Sequence, residues 1–441
     1  MMKQYKTYKT TNIPWLDKIP KHWVELRGKY LYQKVVREPK ENDEVITCFR
    51  DGQVTLRKNR RLTGFTESIK EIGYQHIKQG DLVIHVMDAF AGAIGVSDSN
   101  GKGSPVYNVC ISKMCTNNYF YAYLLREMAR NGYISSLYRG IRERSSDFRF
   151  NVFSGQLYPI PPREEQDKIV AYLDYQTLNI NKLILNKRKQ IELLEEYKKT
   201  KISEVVTKGL NPNVEMKDSG IDWIGQIPKH WEIKKLKYIL KIKKAILPSR
   251  ISNRGKTPYL TLEYLRNVVS TNYFADDGTY ADIESIILVW DGSNAGEFIF
   301  EHPEGYAAST TAVLKIKDNY YKNFMQYFLK SFEFILRLQI KGMGIPHVNG
   351  YFLKNSSILI PTLLEQKEIA DYLNSLTLKL DNLVDKHKLY IEKLEEYKKT
   401  LISDVVTGKI DVRDVTIPKY EKVEIVDNIE NNANINELNM E

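Results

Sequence analysis

The stretch "LEEYKKTKISEVVT" at residues 194–207 returns at residues 394–407 as "LEEYKKTLISDVVT", changed only from Lys201 to Leu401 and from Glu204 to Asp404. Upstream, at the same offset of 200, "EQDKIVAYLD" (165–174) matches "EQKEIADYLN" (365–374). Residues 163–207 contain neither proline nor glycine, and Pro161 and Pro162 stand directly before them. Proline is tolerated at a helix start and disruptive inside one, so the pair marks an entry. In the second copy Thr362 and Glu365 have the spacing of a capping box. Gly209 and Gly408 follow the last apolar residues, where a left-handed cap ends a helix. Each copy therefore predicts one helix of about 45 residues, roughly 65 Å long at 1.5 Å per residue.

Apolar residues recur along the first helix at Ile169, Leu173, Ile180, Ile184, Ile191, Leu194, Ile202 and Val205. The second repeats them at Ile369, Leu373, Leu380, Val384, Ile391, Leu394, Ile402 and Val405. Steps of three, four and seven with charges between them make a narrow seam, the pattern of a coiled coil. Matching seams suggest a mutual pair, antiparallel if the two halves are related by a pseudo-twofold axis; the alternative is that each helix packs on its own globular module. Lys187 and His387 take equivalent seam positions and could fix the register.

Working outward, "IPKHW" occurs at residues 19–23 and again at 227–231, inside the longer match of "IPWLDKIPKHWVELRGKYL" (13–31) to "IDWIGQIPKHWEIKKLKYIL" (221–240). That offset is 208, so the intervening regions have drifted by a net eight residues. A faint common order survives between the matched ends: "DLVIHVMDAFAGAIGV" (81–96) parallels "SIILVWDGSNAGEFIF" (285–300) as a strand, an Asp and a glycine turn. Helix-like stretches follow at 118–138 and 319–340. The chain reads as module, helix, module, helix, over residues 1–160, 161–210, 211–360 and 361–408. Residues 409–441 carry eight Asp/Glu against four Lys/Arg and many Asn, and read as an acidic, disordered tail. Trp23 and Trp231 are expected to pack against the helices.

At 441 residues the chain exceeds one ordinary core, and 42% hydrophobic with 27% charged residues suffices for folded domains. The net charge of +10 makes an anionic partner plausible, nucleic acid foremost. Three cysteines, Cys48, Cys110 and Cys115, form no C-x-x-C pair, which fits free thiols in a reducing compartment. The N-terminus has no apolar signal core, and no window approaches the ~18 apolar residues of a membrane span. A cytoplasmic protein without membrane contact is expected.

Catalytic constellations are missing from the sequence. There is no G-x-x-x-x-G-K-[ST] loop, no G-x-G-x-x-G after a strand and no H-E-x-x-H, so no catalytic residue, cofactor or metal is assigned. The glycines of "GMGIPHVNG" (342–350) precede a strand-like run without a phosphate-binding lysine and read as a loop. His22 and His230 recur with the repeat, each in a Pro-Lys-His-Trp turn with no carboxylate or nucleophile in fixed relation, and read as structural.

Basic clusters are the better lead. "RKNRR" (57–61) and "YRGIRERSSDFRF" (138–150) place Arg57, Lys58, Arg60, Arg61, Arg139, Arg142, Arg144 and Arg149 among aromatic residues of the first module. The second module offers Arg250, Arg254 and Lys256 in "LPSRISNRGKTPY" (247–259), and Lys341, His347 and Asn349 in "IKGMGIPHVNGYFLKN" (340–355). Guanidinium groups suit bidentate contacts to guanine edges and phosphates, and Asn suits adenine. "SSDFRFNVF" (145–153) aligns with "IPHVNGYFL" (345–353), so these loops should sit alike in their modules. Each of these charges could equally be a solvated surface group.

Two variable modules, each opened by "IP..W" and closed by "P...EQ..I..YL", then a long helix ending in "LEEYKKTLIS.VVTG", resemble the DNA specificity subunit of type I restriction-modification systems. The resemblance covers nearly the whole chain apart from the tail. It implies an α+β fold of two target recognition domains in pseudo-twofold repeat, separated by two long helices in an antiparallel coiled coil. It also implies a non-catalytic subunit that reads a bipartite, asymmetric target in double-stranded DNA. The expected partners are two methyltransferase subunits, which bind S-adenosylmethionine and methylate adenine, and restriction subunits that use ATP and Mg2+ to translocate and cut. One departure is Lys201 in place of Leu401, which should loosen the end of the first seam. A repeat-built protein scaffold and a self-contained nuclease or methyltransferase are the rival readings.

Overall fold

The computed structural model describes residues 3–60, 72–137, 148–266, 273–340 and 345–420. The chain divides into two compact units: a terminal unit, Met1–Lys187 with Leu389–Glu441, and a central unit, Arg188–Lys388. The division falls inside the two long helices, Arg163–Lys208 and Leu363–Val406. Each module packs on the start of one long helix and the end of the other, so each unit takes a portion of both.

In the terminal unit, four antiparallel strands lie in the order Tyr32–Lys34, Tyr107–Ser112, Leu82–His85, Ile94–Val96. The helix Asn118–Arg130 begins where the Asn117 side chain accepts from the backbone N–H groups of Tyr119 and Phe120, and it buries Phe120, Leu124, Leu125 and Met128 in the main core. Strand Val24–Arg27 pairs with Leu157–Ile160, so the module's opening is stitched to its close. A second layer, the hairpin of Ile46–Cys48 with Val54–Leu56 and the pair Gln75–Ile77 with Gly101–Gly103, encloses a smaller core around Ile46, Val54, Ile77, Val83 and Val109.

The central unit repeats the first layer strand for strand: Leu240–Lys244, Thr311–Ile316, Ile286–Val289, Phe298–Ile299, with Glu232–Lys235 paired to Ser357–Ile360. Its helix, Lys322–Leu338, buries Phe324, Met325, Phe328, Leu329, Phe332 and Leu336. The second layer differs. Here five strands lie in the order Ile251–Ser252, Tyr273–Ala275, Pro258–Leu260, Gly305–Ala307, Tyr280–Ala281, with Pro258–Leu260 and Gly305–Ala307 running parallel.

Within each unit the long helices run antiparallel. In the terminal unit Lys398 Nζ donates to Asn181 Oδ1 at 2.9 Å, and Lys187 Nζ lies 5.6 Å from the Tyr390 ring centroid, so numbers rise on one helix as they fall on the other. In the central unit Lys198 Nζ meets the Asp381 carboxylate at 2.6 Å. The seam residues Ile169, Leu173, Ile180, Ile184 and Val405 are buried in the terminal unit; Ile202, Val205, Ile369, Leu373, Leu380 and Val384 are buried in the central one. Ile191, Leu194, Ile391, Leu394 and Ile402 are half-buried, as are Lys187 and His387. Leu401 is buried in the terminal core, whereas Lys201 is partly exposed and paired with Glu204 at 2.6 Å.

The residues read as a disordered tail are folded at least to Tyr420. Val412 is fully buried, the Asp411 N–H donates to the Lys3 carbonyl at 2.8 Å, Arg413 lies 5.0 Å over the Tyr5 ring, and the Tyr420 ring packs 5.4 Å from Tyr175. The apolar Ile410, Val412 and Ile417, which the acidic composition of the segment obscured, supply the reason. Residues 421–441 lie outside the described residues.

Candidate nucleic-acid interface and its anchor

The two repeated motifs turn out to be halves of one contact. Glu165, in the first turn of one long helix, accepts hydrogen bonds from Trp23 Nε1 at 2.9 Å and the Tyr5 hydroxyl at 2.6 Å, and its second oxygen lies 2.7 Å from His22 Nε2. Gly408, at φ 77° beyond the end of the other helix, lies so close to Trp23 that a Cβ there would stand 3.0 Å from the indole and closer still to Pro20. The central unit repeats this: Trp231 Nε1 donates to Glu365 at 3.3 Å, His230 Nε2 lies 2.8 Å from the same carboxylate, and Gly209, at φ 76°, packs on Trp231. The neighbouring glutamine completes the joint. Gln166 accepts from the Asn117 N–H and donates to the Pro161 carbonyl, and Gln366 does the same with Tyr321 and Pro361.

His22 and His230 thus do have a carboxylate in fixed relation, contrary to the sequence reading. The partner comes from the distant start of a helix, 143 residues on in one copy and 135 in the other. Burial and the Glu165 hydrogen bond hold the Tyr5 phenol protonated far above its ordinary range. For Glu365, burial pushes the carboxyl up, but hydrogen bonds from His230, Thr362 and Trp231 outweigh it and hold it below the usual carboxylate range. The capping box expected at Thr362 and Glu365 is present, with Thr362 N–H donating to Glu365 at 3.0 Å and Glu365 N–H to Thr362 Oγ1 at 3.3 Å.

With its base held in this way, each four-stranded sheet carries a glycine-containing turn at one end. In the terminal unit residues 86–92 lie beside the chain entering the short helix Phe150–Gly155, where the Phe148 N–H donates to the Val86 carbonyl at 3.1 Å. In the central unit residues 290–296 lie beside the chain entering Gly350–Asn355, with Val348 N–H donating to Trp290 and Gly292 N–H to Pro346, both at 2.9 Å. The alignment of 145–153 with 345–353 is therefore reproduced by matching short helices.

Arg149, exposed, precedes the first of these helices. His347 is exposed and bridges to Asp291, while Asn349 caps the second helix, its oxygen accepting from the Phe352 N–H at 3.0 Å. Arg57 and Lys58 occupy a single turn after the terminal unit's hairpin; Arg57 Nε donates to Thr47 Oγ1 at 3.3 Å, and Lys58 pairs with Glu44 at 2.5 Å. Arg60 is only 9% exposed, paired with Asp51 at 2.6 Å and 4.4 Å over the Phe49 ring, so it braces the hairpin turn. Next to Asp51, Arg50 pairs with Asp88 at 3.0 Å and joins that turn to residues 86–92. Arg250 is exposed just before, and Arg254 and Lys256 just after, the edge strand Ile251–Ser252 of the five-stranded sheet. Arg61, Arg139, Arg142, Arg144 and Lys341 lie outside the described residues.

Sequence reasoning missed Glu165, Gln166, Glu365 and Gln366 as anchoring residues. The signal was the polar E-Q pair repeated unchanged at a helix start. It also missed Trp290 and Lys244, whose ammonium lies 5.9 Å from the indole and 3.0 Å from Asp291. Among the described residues no group of three or more His, Cys, Asp or Glu side chains could hold a metal ion, and no helix is long and apolar enough to cross a membrane. Burial pushes the Cys48 and Cys110 thiols up to about 12, while Cys115 is exposed.

Comparison with known proteins agrees with this geometry. Residues 228–393 match the family model of the type I restriction modification DNA specificity domain. The chain is 35% identical over 192 residues to the type I restriction enzyme MjaVIII specificity subunit of Methanocaldococcus jannaschii, a match covering 41% of this chain and 43% of that protein's length. A second protein of that organism, provisionally assigned as the MjaX specificity subunit, is 25% identical over 85% of this chain and 94% of its own. Among solved structures, a chain from a study of complex assembly and conformational transition in a type I R-M system superposes with TM-score 0.69 at 15% identity, covering 91% of this chain and all of that one. The HsdS subunit of Thermoanaerobacter tengcongensis superposes at 0.54 and 16% identity, over 89% and 98%. The chain resembles type I specificity subunits in sequence along most of its length and shares their fold.

Proposed function

We propose that the chain is the non-catalytic DNA specificity subunit of a type I restriction-modification complex, with one half of a bipartite, asymmetric target read by each unit. One observation carries this reading: two units share an anchor and a four-stranded sheet but differ in the turns at one sheet end and in the whole second layer. A common scaffold with divergent faces is what two different readers of one polymer require. The net charge of +10 suits a polyanion.

Exposed Lys58, Arg149, Arg250, Arg254, Lys256 and His347 supply phosphate and base contacts, the first setting affinity and the second specificity. Simultaneous engagement of both half-sites raises the effective concentration of the second contact, with the antiparallel helices as the spacer. The partners are double-stranded DNA, two methyltransferase subunits carrying S-adenosylmethionine, and restriction subunits using ATP and Mg2+; this chain holds none of those cofactors and works in the cytoplasm. The test is to replace residues 31–153 with the corresponding module of another such protein and map methyladenine across the genome. One half of the methylated motif should change and the other persist; a change in both halves overturns the reading.

A further inference from the structure

Arg50 stands apart from the other cations around the turn of residues 86–92. It sits at the tip of the hairpin formed by Ile46–Cys48 and Val54–Leu56, with its side chain 66% exposed. Among the described residues that side chain has one polar partner, Asp88, whose Oδ1 accepts from Nη2 at 3.0 Å. Asp88 is itself held: its N–H donates to His85 Nδ1 at 3.1 Å, and the His85 ring packs 5.2 Å from Tyr107.

The hairpin tip is braced on every inner side. The Asp51 carboxylate accepts from the Gln53 N–H at 3.0 Å and from Arg60 Nη1 at 2.6 Å, while Arg60 covers the Phe49 ring at 4.4 Å. From below, Arg126 of the helix Asn118–Arg130 presses on Gly52, where a Cβ would stand 2.6 Å from the guanidinium; its Nε is buried without a hydrogen-bond partner. A Cβ at Gly92 would stand 2.8 Å from the Arg50 carbonyl, and one at Gly95 would collide with the Gly52 carbonyl. Backbone therefore rests directly on backbone. Two arginines, Arg60 and Arg126, fix the tip from within the unit, and the third, Arg50, is left facing solvent.

The carboxylate beside Arg50 decides what this arginine suits. A guanidinium carries five N–H donors in one plane, and with one of them on Asp88 the others retain the paired geometry that matches O6 and N7 of guanine. Adenine and cytosine present an amino donor where guanine has O6, so neither satisfies the pair. A phosphate is a poorer match. The Asp88 charge offsets most of the long-range attraction and repels a second anion at close range, but it leaves bidentate hydrogen bonding to a neutral base edge intact. The brace also holds a long side chain in place before contact, so less conformational freedom is lost on binding. The central unit has the same device built from different parts. Asp291, in the turn 290–296, lies 3.0 Å from the half-exposed Lys244, which comes from the end of the strand Leu240–Lys244 and has no planar fork.

We infer that Arg50 is a specificity-determining residue of the terminal unit, reading one guanine of its half-site through O6 and N7 in the major groove, and that Asp88 is its positioning residue. This rests on the DNA-reading function proposed above and names a base which that function leaves open. The experiment uses the full chain co-expressed with its methyltransferase subunits, with methyladenine mapped across the genome and affinity measured on duplexes carrying the wild-type motif or one altered pair. Arg50→Ala should reduce discrimination at a single G·C pair at least about tenfold. That pair should lie in the half that replacement of residues 31–153 alters, and the other half should be read as before, which also reports that the variant is folded. Asp88→Asn should relax the same pair while strengthening binding to unrelated DNA and steepening its salt dependence, because an arginine freed of its carboxylate favours phosphate; loss of a merely structural contact would not raise affinity. If Arg50→Ala lowers the thermal midpoint, the isosteric Asp88→Asn carries the test. Unchanged discrimination, or relaxation at an A·T pair, overturns the inference. So does an equal loss of affinity on all duplexes with a shallower salt dependence, which makes Arg50 a phosphate contact. Absence of any sequence-specific methylation by the wild-type complex would instead overturn the proposed function, and this assignment with it.

Discussion

The terminal and central units solve the same packing problem with different closures. In the central unit the chain passes from Val206 through Gly209 directly into the hairpin of Met216–Asp218 with Gln226–Pro228. In the terminal unit two separate segments converge at the equivalent place, residues 3–8 and residues 409–420, with Tyr5, Val412 and Arg413 in contact around Glu165. The central unit has a cavity of about 570 Å³ beside Gly209, lined by Lys201, Leu210, Pro212 and Tyr372 among others. The invariant element is therefore the grip of a glutamate and a glycine on one tryptophan, while the packing behind that grip is free to differ.

That contrast can be broken first at the tryptophans. Trp23→Ala and Trp231→Ala each remove a fully buried indole and its hydrogen bond, and each should cost about 3–5 kcal/mol, read from urea unfolding of the full chain. A large cost in only one copy would show that the two grips are not equivalent.

A smaller, one-sided effect is expected from ending the chain after Gly408. This removes Val412 and the half-buried Ile410 and Ile417, worth about 2–4 kcal/mol to the terminal unit alone. All three cysteines belong to that unit, so thiol labelling reports on it selectively. Cys115 should label at once in the intact chain, and Cys110, buried in the affected core, should label faster in the shortened one. An unchanged Cys110 rate would mean the tail closes nothing.

The smallest effect is electrostatic. Because hydrogen bonds hold the folded Glu365 carboxyl below its usual range, its contribution is fully present above the ordinary value of about 4.3 and is lost as pH falls through the folded one. Glu365→Gln should lower stability by about 1 kcal/mol at neutral pH and flatten the acid limb of the urea midpoint against pH. A parallel acid limb in the variant would remove Glu365 from the account.

The long helices were legible because their signals are local: prolines in front, glycines behind and a repeating apolar seam between. The equivalence of the short helices after Arg149 and Asn349 was legible through a constant offset. The pairing of His22 with Glu165 was not, since nothing in a turn of sequence says which distant helix start will arrive beside it. The division of each long helix between two units was not legible for a related reason. A seam in sequence looks like one continuous element, yet Ile169 and Ile369 serve different cores. Arg60 and Asn349 show a limit of reading charge and amide groups by type, since one braces a turn and the other caps a helix. The five-stranded layer of the central unit is made of two- and three-residue strands, too short for any alternation to register.

The interrupted make-up of the terminal unit also has a bearing on synthesis. Domains ordinarily complete in the order in which they leave the ribosome. Here the core around Trp23 lacks Leu401, Val405, Val406 and Val412 until synthesis has passed Val412, whereas every residue of the central unit has been polymerised by Lys388. The module made first is the one completed last, and its open core must stay unaggregated while the whole of its counterpart is translated.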